Sequence, residues 1–332
     1  MAKSSRAKQQ RVDPSKVARA ARSTKQKKSG SPVTVVRKAG VGDWVGGARL
    51  RTLPLAVGPV VLGSAVAYAE QGFEGFEGFH WVIALACLAV AVLLQVGVNF
   101  ANDYSDGVRG TDRHRVGPGR LTGSGAAKPR TVLIVALVFF ALAAAAGLAI
   151  VIRTEHWWLL AVGAACLLAG WFYTGGKRPY GYYGLGELFV FVFFGLVATV
   201  GTTFVQSGTL PLLAWLGGVI MGLFACAVLL TNNLRDLEQD RASGKRTLSV
   251  LIGSLPSRIL YTVFVFVPFV LLVFFTLLFP NANYVFFVLF LVVPASLIVM
   301  TAKAAKEFVL ALTLTSLASL AFAAGLAAAI VL

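Results

Sequence analysis

Long apolar runs, one after another, set the strongest limit on how this chain can fold. Each is about as long as the roughly 20 apolar residues that a helix needs to cross a bilayer core. The runs are continuous and rich in Ala, Leu, Val and Phe, whereas a β-barrel would show alternation in segments of about ten residues. The sequence therefore predicts an all-α membrane protein. We place about nine transmembrane helices near residues 52–69, 80–101, 131–152, 157–173, 185–205, 212–231, 259–279, 283–301 and 308–331.

Composition and charge placement support this prediction. Hydrophobic residues make up 57% of the 332 residues and charged residues only 13%, about half the charged content of soluble domains. With the N-terminus in the cytoplasm, every Lys and Arg except Arg153 falls in the N-terminal segment or in a loop on the same side. Positive charge accumulates on the cytoplasmic side of membrane proteins. We therefore expect a multi-pass protein of the cell inner (plasma) membrane with a cytoplasmic N-terminus.

The first 40 residues differ from the rest of the chain. They are polar and basic and show no apolar periodicity, so they cannot bury enough surface to fold alone. A nucleic-acid-binding arm is one interpretation, but beside a membrane domain we favour a disordered cytoplasmic tail near anionic lipid headgroups and expect no nucleic-acid partner. The predicted domains are therefore a basic tail, 1–40, and a transmembrane domain, 41–332.

Acidic residues follow the second apolar run directly. The string NDYSDGVRGTD sets Asn102, Asp103, Asp106 and Asp112 at its end. Ionisable groups next to hydrocarbon are costly and are functional candidates for that reason.

The sixth apolar run leads into a comparable string. In TNNLRDLEQDRASGKRT, residues Asn232, Asp236 and Asp240 are spaced i, i+4 and i+8, and residues four apart share one face of a helix. Asn102 and Asp106 have the same spacing. Both strings follow helices that arrive at the cytoplasmic face, so the chain resembles two halves that deliver acidic motifs to one side.

Like charges at this spacing repel one another, so a positive group should lie between them. Surface ion pairs with Arg109, Arg113, Arg235 or Arg241, or simple solvation of the carboxylates, are one explanation. The alternative is a bound metal ion, and oxygen ligands without His or Cys favour Mg²⁺, which completes its shell with water and phosphate oxygens. The candidate metal ligands are Asn102, Asp103, Asp106, Asp112, Asn232, Asp236 and Asp240.

Basic residues in the same loops would suit the phosphates. They are Arg109, Arg120, Lys128, Lys177, Arg178, Lys245 and Arg246. A Mg²⁺ and diphosphate site walled by apolar helices is suited to an isoprenoid diphosphate, whose tail can remain in lipid.

These motifs, with Tyr173-x-x-x-Lys177 between them, resemble those of the UbiA-type intramembrane prenyltransferases over about residues 43–332. The longer strings RLRTLPLAVGPVVLG, NDYSDGVRGTDRHRVGPGRLTGSG and NNLRDLEQDRASGKRTL resemble the branch that prenylates 1,4-dihydroxy-2-naphthoate in menaquinone synthesis. One departure is the ten-residue separation of Asn102 and Asp112, where many relatives have eight.

The resemblance implies nine helices around a central cavity, with a lateral opening to the bilayer and the two motif loops over its cytoplasmic end. It implies a Mg²⁺-dependent enzyme that transfers a polyprenyl group to the naphthoate, with loss of carbon dioxide. The implied catalytic residues are Asp106, Asp236, Asp240, Lys177 and Tyr173. The implied substrate-binding residues are Arg120, Lys245, Arg246, Asn102, Asn232, Arg49, Arg51 and Glu187, of which Arg49, Arg51 and Arg120 are candidates for the naphthoate carboxylate.

Two other interpretations stay open at this stage. One is a UbiA-type enzyme with another acceptor, such as 4-hydroxybenzoate. The other is a transporter, since intramembrane polar groups also mark ion paths. A transporter predicts acidic groups near the bilayer midplane, and here they gather at one face.

Overall fold

The computed structural model describes residues 38–72, 81–111 and 119–332, and Lys38–Leu332 form one unit. The prediction of an all-α membrane protein is confirmed. The helices are α1 Val41–Ala48, α2 Pro54–Glu70, α3 Trp81–Arg109, α4 Pro129–Thr154, α5 Leu159–Phe172, α6 Gly186–Ser207, α7 Leu212–Arg235, α8 Leu237–Ala242, α9 Leu248–Ile252, α10 Ser254–Leu278, α11 Pro280–Thr301 and α12 Ala305–Val331. Short 3₁₀ turns lie at Leu50–Thr52, at Tyr180–Tyr183 and in the first part of α11, Pro280–Val288.

Each predicted apolar run corresponds to a helix. Within the described ranges, α3, α4, α6, α7, α10, α11 and α12 are long and apolar enough to cross a membrane. The segment Val41–Thr52 and helix α2 together pass the same test but are bent by 46°. Helix α5 is apolar and has 14 residues. The predicted number of about nine is therefore approximate.

Helices α2, α7, α10, α11 and α12 enclose the largest apolar core. Tyr261, Phe224, Phe275 and Phe322 are fully buried there. The outer faces of the bundle are also apolar; Leu277, for example, is 78% exposed. Such faces are stable against hydrocarbon and unfavourable in water.

Helix α6 approaches α7 closely. A Cβ added at Gly195 would lie 2.5 Å from the Cα of Gly222, so a side chain there would separate the two helices. Gly195 belongs to a π-helical segment, Phe191–Val197. Small residues that let helix backbones approach are typical of membrane interfaces.

Helices α3 and α7 run further than the sequence predicted. The predicted ends were 101 and 231, whereas the observed ends are Arg109 and Arg235. With 29 residues, α3 is about 44 Å long at 1.5 Å per residue, so it exceeds a hydrocarbon core of about 30 Å. The first motif therefore lies on the last turns of a helix rather than in a loop, because its polar side chains find partners there.

Candidate active site

The end of α3 presents Asn102 and Asp106 on one face. They are four residues apart in a regular helix, and both are buried. Asp106 is 1% exposed, and a carboxylate so deeply buried needs charged or hydrogen-bonding partners.

Those partners come from three other parts of the chain. Arg120 Nη1 lies 2.8 Å from Asp106 Oδ2, and Lys245 Nζ lies 3.2 Å from Oδ1. The phenol of Tyr182 donates a hydrogen bond of 2.6 Å to Oδ1. Hydrogen bonds between charged groups are short and strong, so Asp106 joins segments that are distant in sequence.

Tyr182 is a site residue that the sequence analysis missed. Besides its bond to Asp106, its ring lies 4.7 Å from Lys245 Nζ and 5.4 Å from the guanidinium carbon of Arg109. Burial and the negative charge of Asp106 raise the pKa of Tyr182 above its usual 10. The phenol therefore stays a hydrogen-bond donor. Nothing in the string YGYYG distinguishes this tyrosine from its neighbours.

Asn102 is oriented by further contacts. Thr174 donates a hydrogen bond of 2.7 Å from its hydroxyl to Asn102 Oδ1, and Arg120 donates one of 2.8 Å to the Asn102 carbonyl. Arg109 donates to the carbonyl oxygens of Thr174 and Gly176. It therefore fastens the segment after α5 to the end of α3, and its phosphate contact stays a prediction. Thr174 was also missed.

The second motif lies where α7 gives way to α8. Asn232 is in the last turn of α7, Asp236 lies between the helices, and Asp240 is in α8. The Arg235 guanidinium binds both oxygens of Asp236, at 2.8 and 2.7 Å. The Asp240 amide donates to the Asp236 carbonyl at 2.8 Å, so the four-residue spacing survives the break.

The two motifs face a common polar cleft of about 80 Å³. Lys245 connects them, since its Nζ lies 3.2 Å from Asp106 and 4.0 Å from Asp240. The lining of the cleft includes Arg49, Asn102, Asp106, Arg120, Tyr173, Thr174, Tyr182, Asn232, Asn233, Arg235, Asp236, Asp240 and Lys245.

Asp103 has a different environment from the one predicted for a metal ligand. Its two carboxylate oxygens accept hydrogen bonds of 2.8 Å from the backbone amides of Leu121 and Thr122. It is 2% exposed and lies outside the described residues that line the cleft. The structure thus gives Asp103 the task of fixing the segment that carries Arg120.

Other predicted site residues also lie away from the cleft lining. The side chains of Arg51, Lys177 and Arg246 are exposed, as are those of Lys128 and Arg178.

Two predicted residues remain. Glu187 is buried beneath the cleft and accepts a hydrogen bond of 2.8 Å from Asn233, so it supports a lining residue. Asp112 lies outside the residues that the structure describes.

An apolar chamber of about 510 Å³ adjoins the cleft. Its walls come from α2, α3, α4, α5, α6 and α7. Arg49, Asn102, Tyr173, Leu229 and Asn232 line both spaces. A ligand with a polar end and an apolar chain could therefore lie across this junction.

A family model described as the UbiA prenyltransferase family matches residues 56–308, about three quarters of the chain. The chain belongs to the UbiA prenyltransferase family. This confirms the resemblance drawn from the motifs, and the match spans both of them.

A curated relative is similar to this UbiA family member over most of its length. It is the 1,4-dihydroxy-2-naphthoate octaprenyltransferase of Mycobacterium tuberculosis, 49% identical over 223 residues. The match covers 67% of this chain and 74% of the relative.

Solved structures of UbiA homologues share the fold. The apo structure of a homologue from Aeropyrum pernix K1 matches with a TM-score of 0.63 and 15% identity, over 82% of this chain and 96% of that one. A homologue from Archaeoglobus fulgidus bound to GPP and Mg²⁺ matches with a TM-score of 0.54 and 17% identity, over 86% and 100%.

The donor set of the UbiA cleft can be tested against a Mg²⁺ ion. In the part of the chain that is described, no three acidic, His or Cys side chains form a ready metal cage. Oxygen-donor side chains of both motifs nevertheless line one cleft, namely those of Asn102, Asp106, Asn232, Asp236 and Asp240. Mg²⁺ uses one or two carboxylates and fills its shell with water and phosphate. The residues present fit an ion of that kind.

Proposed function

We propose that this enzyme transfers a long polyprenyl group from a polyprenyl diphosphate to 1,4-dihydroxy-2-naphthoate with decarboxylation, a step of menaquinone biosynthesis whose product becomes demethylmenaquinone after oxidation. The observation that carries the proposal is the shared lining of a polar, cationic cleft and an apolar chamber. The relative from Mycobacterium tuberculosis supports the acceptor.

The prenyl donor lies across the junction in this proposal. Its diphosphate binds in the cleft, where Arg120 and Lys245 supply positive charge, and its chain lies in the chamber. Apolar walls suit this chain because they resemble the lipid in which it is otherwise dissolved.

We assign Mg²⁺ to the two motifs, with Asn102, Asp106, Asn232, Asp236 and Asp240 as candidate ligands. Bound there, the ion supplies charge stabilisation for the diphosphate leaving group. The homologue structure bound to GPP and Mg²⁺ supports this requirement. Asp112 stays a predicted ligand, and Asp103 is assigned to support of the fold.

The chain's own residues then act on the leaving group. Arg120 and Lys245 remain within reach of the diphosphate oxygens and stabilise negative charge as the allylic C–O bond breaks. Tyr182 holds Asp106 in place through its hydrogen bond. Tyr173 lines both spaces at the junction, where the allylic cation forms in this proposal, and aromatic faces attract positive charge.

The acceptor completes the reaction. The electron-rich ring attacks the allylic carbon through the carbon that bears the carboxylate, a C–C bond forms, and carbon dioxide leaves as the ring regains aromaticity. Arg49, which lines both spaces, is our candidate for binding the carboxylate, because guanidinium groups match carboxylates in geometry and charge. Arg51 is exposed and drops out of this role.

We place the cleft on the cytoplasmic side of the plasma membrane. The placement of Lys and Arg supports this orientation, since residues of both motifs and their cationic partners lie in or beside the inner loops.

The test is an assay of the purified full-length protein with a long polyprenyl diphosphate and Mg²⁺. We expect product with 1,4-dihydroxy-2-naphthoate, little with 4-hydroxybenzoate, and loss of turnover with a chelator that Mg²⁺ restores. Turnover of 4-hydroxybenzoate without turnover of the naphthoate would overturn the acceptor assignment.

A further inference from the structure

The corner between α1 and α2 has an uncommon backbone. Arg49, the residue after α1, has φ 55° and ψ 56°. This left-handed conformation is rare for residues other than glycine and is unfavourable without support from the surrounding structure. Because Arg49 lines both the cleft and the chamber, its conformation decides where a guanidinium group enters the site.

Side chains from α3 hold this corner on both sides of Arg49. Asn99 donates a hydrogen bond of 3.0 Å from Nδ2 to the carbonyl of Ala48. Gln95 donates from Nε2 to the carbonyl of Thr52 at 2.6 Å and to its hydroxyl at 3.0 Å. The Thr52 hydroxyl in turn donates to the carbonyl of Arg49 at 3.0 Å. The turn is thus fastened at the residue before Arg49, at Arg49 itself and three residues later.

These polar residues belong to the chamber wall. Gln95, Asn99 and Thr52 all line the chamber, at the end where Arg49 also lines the cleft. Gln95 and Asn99 are four residues apart on α3, so they share one face, and they are 5% and 7% exposed. Apolar side chains would suit a wall that binds only a hydrocarbon chain. The two amides instead supply hydrogen-bond donors to backbone carbonyls of the corner.

We propose that Gln95 and Asn99 are positioning residues that hold Arg49 at the junction, so that its guanidinium group binds the carboxylate of the aromatic acceptor. The inference rests on the proposed function and extends it to residues that do not touch the reacting atoms. A carboxylate and a guanidinium form two parallel hydrogen bonds when both are held in one plane. A clamped backbone limits the orientations that Arg49 must lose on binding, which strengthens that contact.

A merely structural role would have other effects. If the two amides only joined α1 to α3, their loss would lower thermal stability. It would then change the KM for the prenyl donor and the KM for the acceptor to a similar extent. Positioning of Arg49 instead predicts a selective rise in the KM for the acceptor, with kcat and the KM for the prenyl diphosphate little changed.

The experiment is a double-mutant cycle on the full-length enzyme, with the KM for 1,4-dihydroxy-2-naphthoate measured for wild type, Arg49→Gln, Asn99→Ala and the double variant. For Asn99→Ala we expect a rise of about fivefold, the effect of one lost hydrogen bond, and for Arg49→Gln about tenfold or more, since a charged pair is lost. The double variant should resemble Arg49→Gln alone, because coupled residues are not additive. Gln95→Leu provides a second, independent variant with the same expected pattern.

Gln206→Leu is the matched control. Gln206 is likewise a buried amide that binds α2, through the hydroxyl of Ser64 at 2.9 Å, and Ser64 lies toward the other end of that helix from Arg49. The Gln206→Leu substitution should lower the thermal midpoint in detergent without changing the KM for the acceptor. Multiplicative effects of Arg49→Gln and Asn99→Ala, or an unchanged acceptor KM in Asn99→Ala, would overturn the positioning role while the proposed function stands. Absence of turnover of the naphthoate by wild type would overturn both.

Discussion

Asp106 in the first motif and Asp236 in the second line the same cleft, but Asp106 pairs with residues distant in sequence and Asp236 pairs with its neighbour. Asp106 is bound by Arg120, Lys245 and Tyr182, each from a separate segment. Asp236 is bound by Arg235, its neighbour in sequence. The first carboxylate lies within a continuous helix, whereas the second lies where α7 gives way to α8.

The two motifs look alike in sequence, but the difference in their ion pairs indicates different structural roles. The first motif assembles the cleft, because its carboxylate connects the segments after α3, α5 and α8. In the second motif, the ion pair of Asp236 with Arg235 joins sequence neighbours, so we expect its loss to disturb distant segments less. We therefore expect equal substitutions in the two motifs to have similar effects on activity and different effects on stability.

The largest expected effect is that of Asp106→Asn. We predict a loss of prenyl transfer of about 100-fold or more, as for removal of a principal electrostatic contact in other active sites. Unfolding should also become easier by about 3–5 kcal/mol, since Arg120 and Lys245 are left without their common counter-ion. The initial rate and the thermal midpoint in detergent measure the two effects.

Glu238→Gln is the control for loss of a negative charge. Glu238 is exposed and pairs with Arg241 at 3.0 Å on the same short helix, so neither the rate nor the midpoint should change appreciably. An Asp106→Asn enzyme with normal Mg²⁺-dependent turnover would contradict the metal and diphosphate assignment.

Asp236→Asn should reduce activity by a similar factor, because Asp236 is a candidate ligand in the same cleft. Its effect on stability should be smaller than that of Asp106→Asn, since the Arg235–Asp236 pair joins sequence neighbours, whereas Asp106 joins three distant segments. The same two measurements apply. A fall in the thermal midpoint as large as that of Asp106→Asn would remove the distinction between the motifs.

Tyr182→Phe removes the hydrogen bond that the phenol donates to Asp106 of the first motif. Loss of one hydrogen bond to a charged group costs about 1.5–3 kcal/mol, and we expect the rate to fall by about tenfold. Burial and Asp106 raise the pKa of Tyr182, so the phenol stays protonated below its usual pKa of 10. The pH–rate profiles of wild type and Tyr182→Phe should therefore have the same shape up to about pH 9. A wild-type decline that the variant lacks would show that Tyr182 titrates.

Lys177→Ala should have the smallest effect, less than about twofold on the rate, because its side chain is exposed and lies outside the cleft lining. Lys245→Ala is the comparison, since Lys245 contacts both motifs and its loss should reduce the rate strongly. A large effect of Lys177→Ala on the KM for the diphosphate would mean that the segment after α5 moves toward the cleft when the donor binds.

The sequence was sufficient to predict what depends on local patterns. Apolar runs located the helices, and the spacing of Asn102, Asp106, Asn232, Asp236 and Asp240 identified residues that line one cleft. The end of α3 was predicted too early because polar residues were taken to end the helix, whereas they continue it to Arg109.

Contacts between distant segments could not be predicted in this way. Tyr182 and Thr174 reach the first motif from across the chain, and no local pattern marks them. The partners of Asp103 are backbone amides, which every residue except proline possesses. Likewise, Lys177 and Lys245 look alike in sequence, and the folded backbone alone decides which of them faces the cleft.

The length and regularity of α3 have a mechanical consequence. One uninterrupted helix contributes Cys87 to the chamber wall, Asn99 to the corner that holds Arg49, and Asn102 and Asp106 to the cleft. Helices resist stretching, so the axial distance from Cys87 to Asn102, about 22 Å at 1.5 Å per residue, is constant. The helix therefore keeps a fixed distance between the regions that bind the two ends of the prenyl donor. Tyr182 and Lys245, which contact Asp106, lie outside the long helices in the short segments 173–183 and 243–247, so these segments could move without stretching α3.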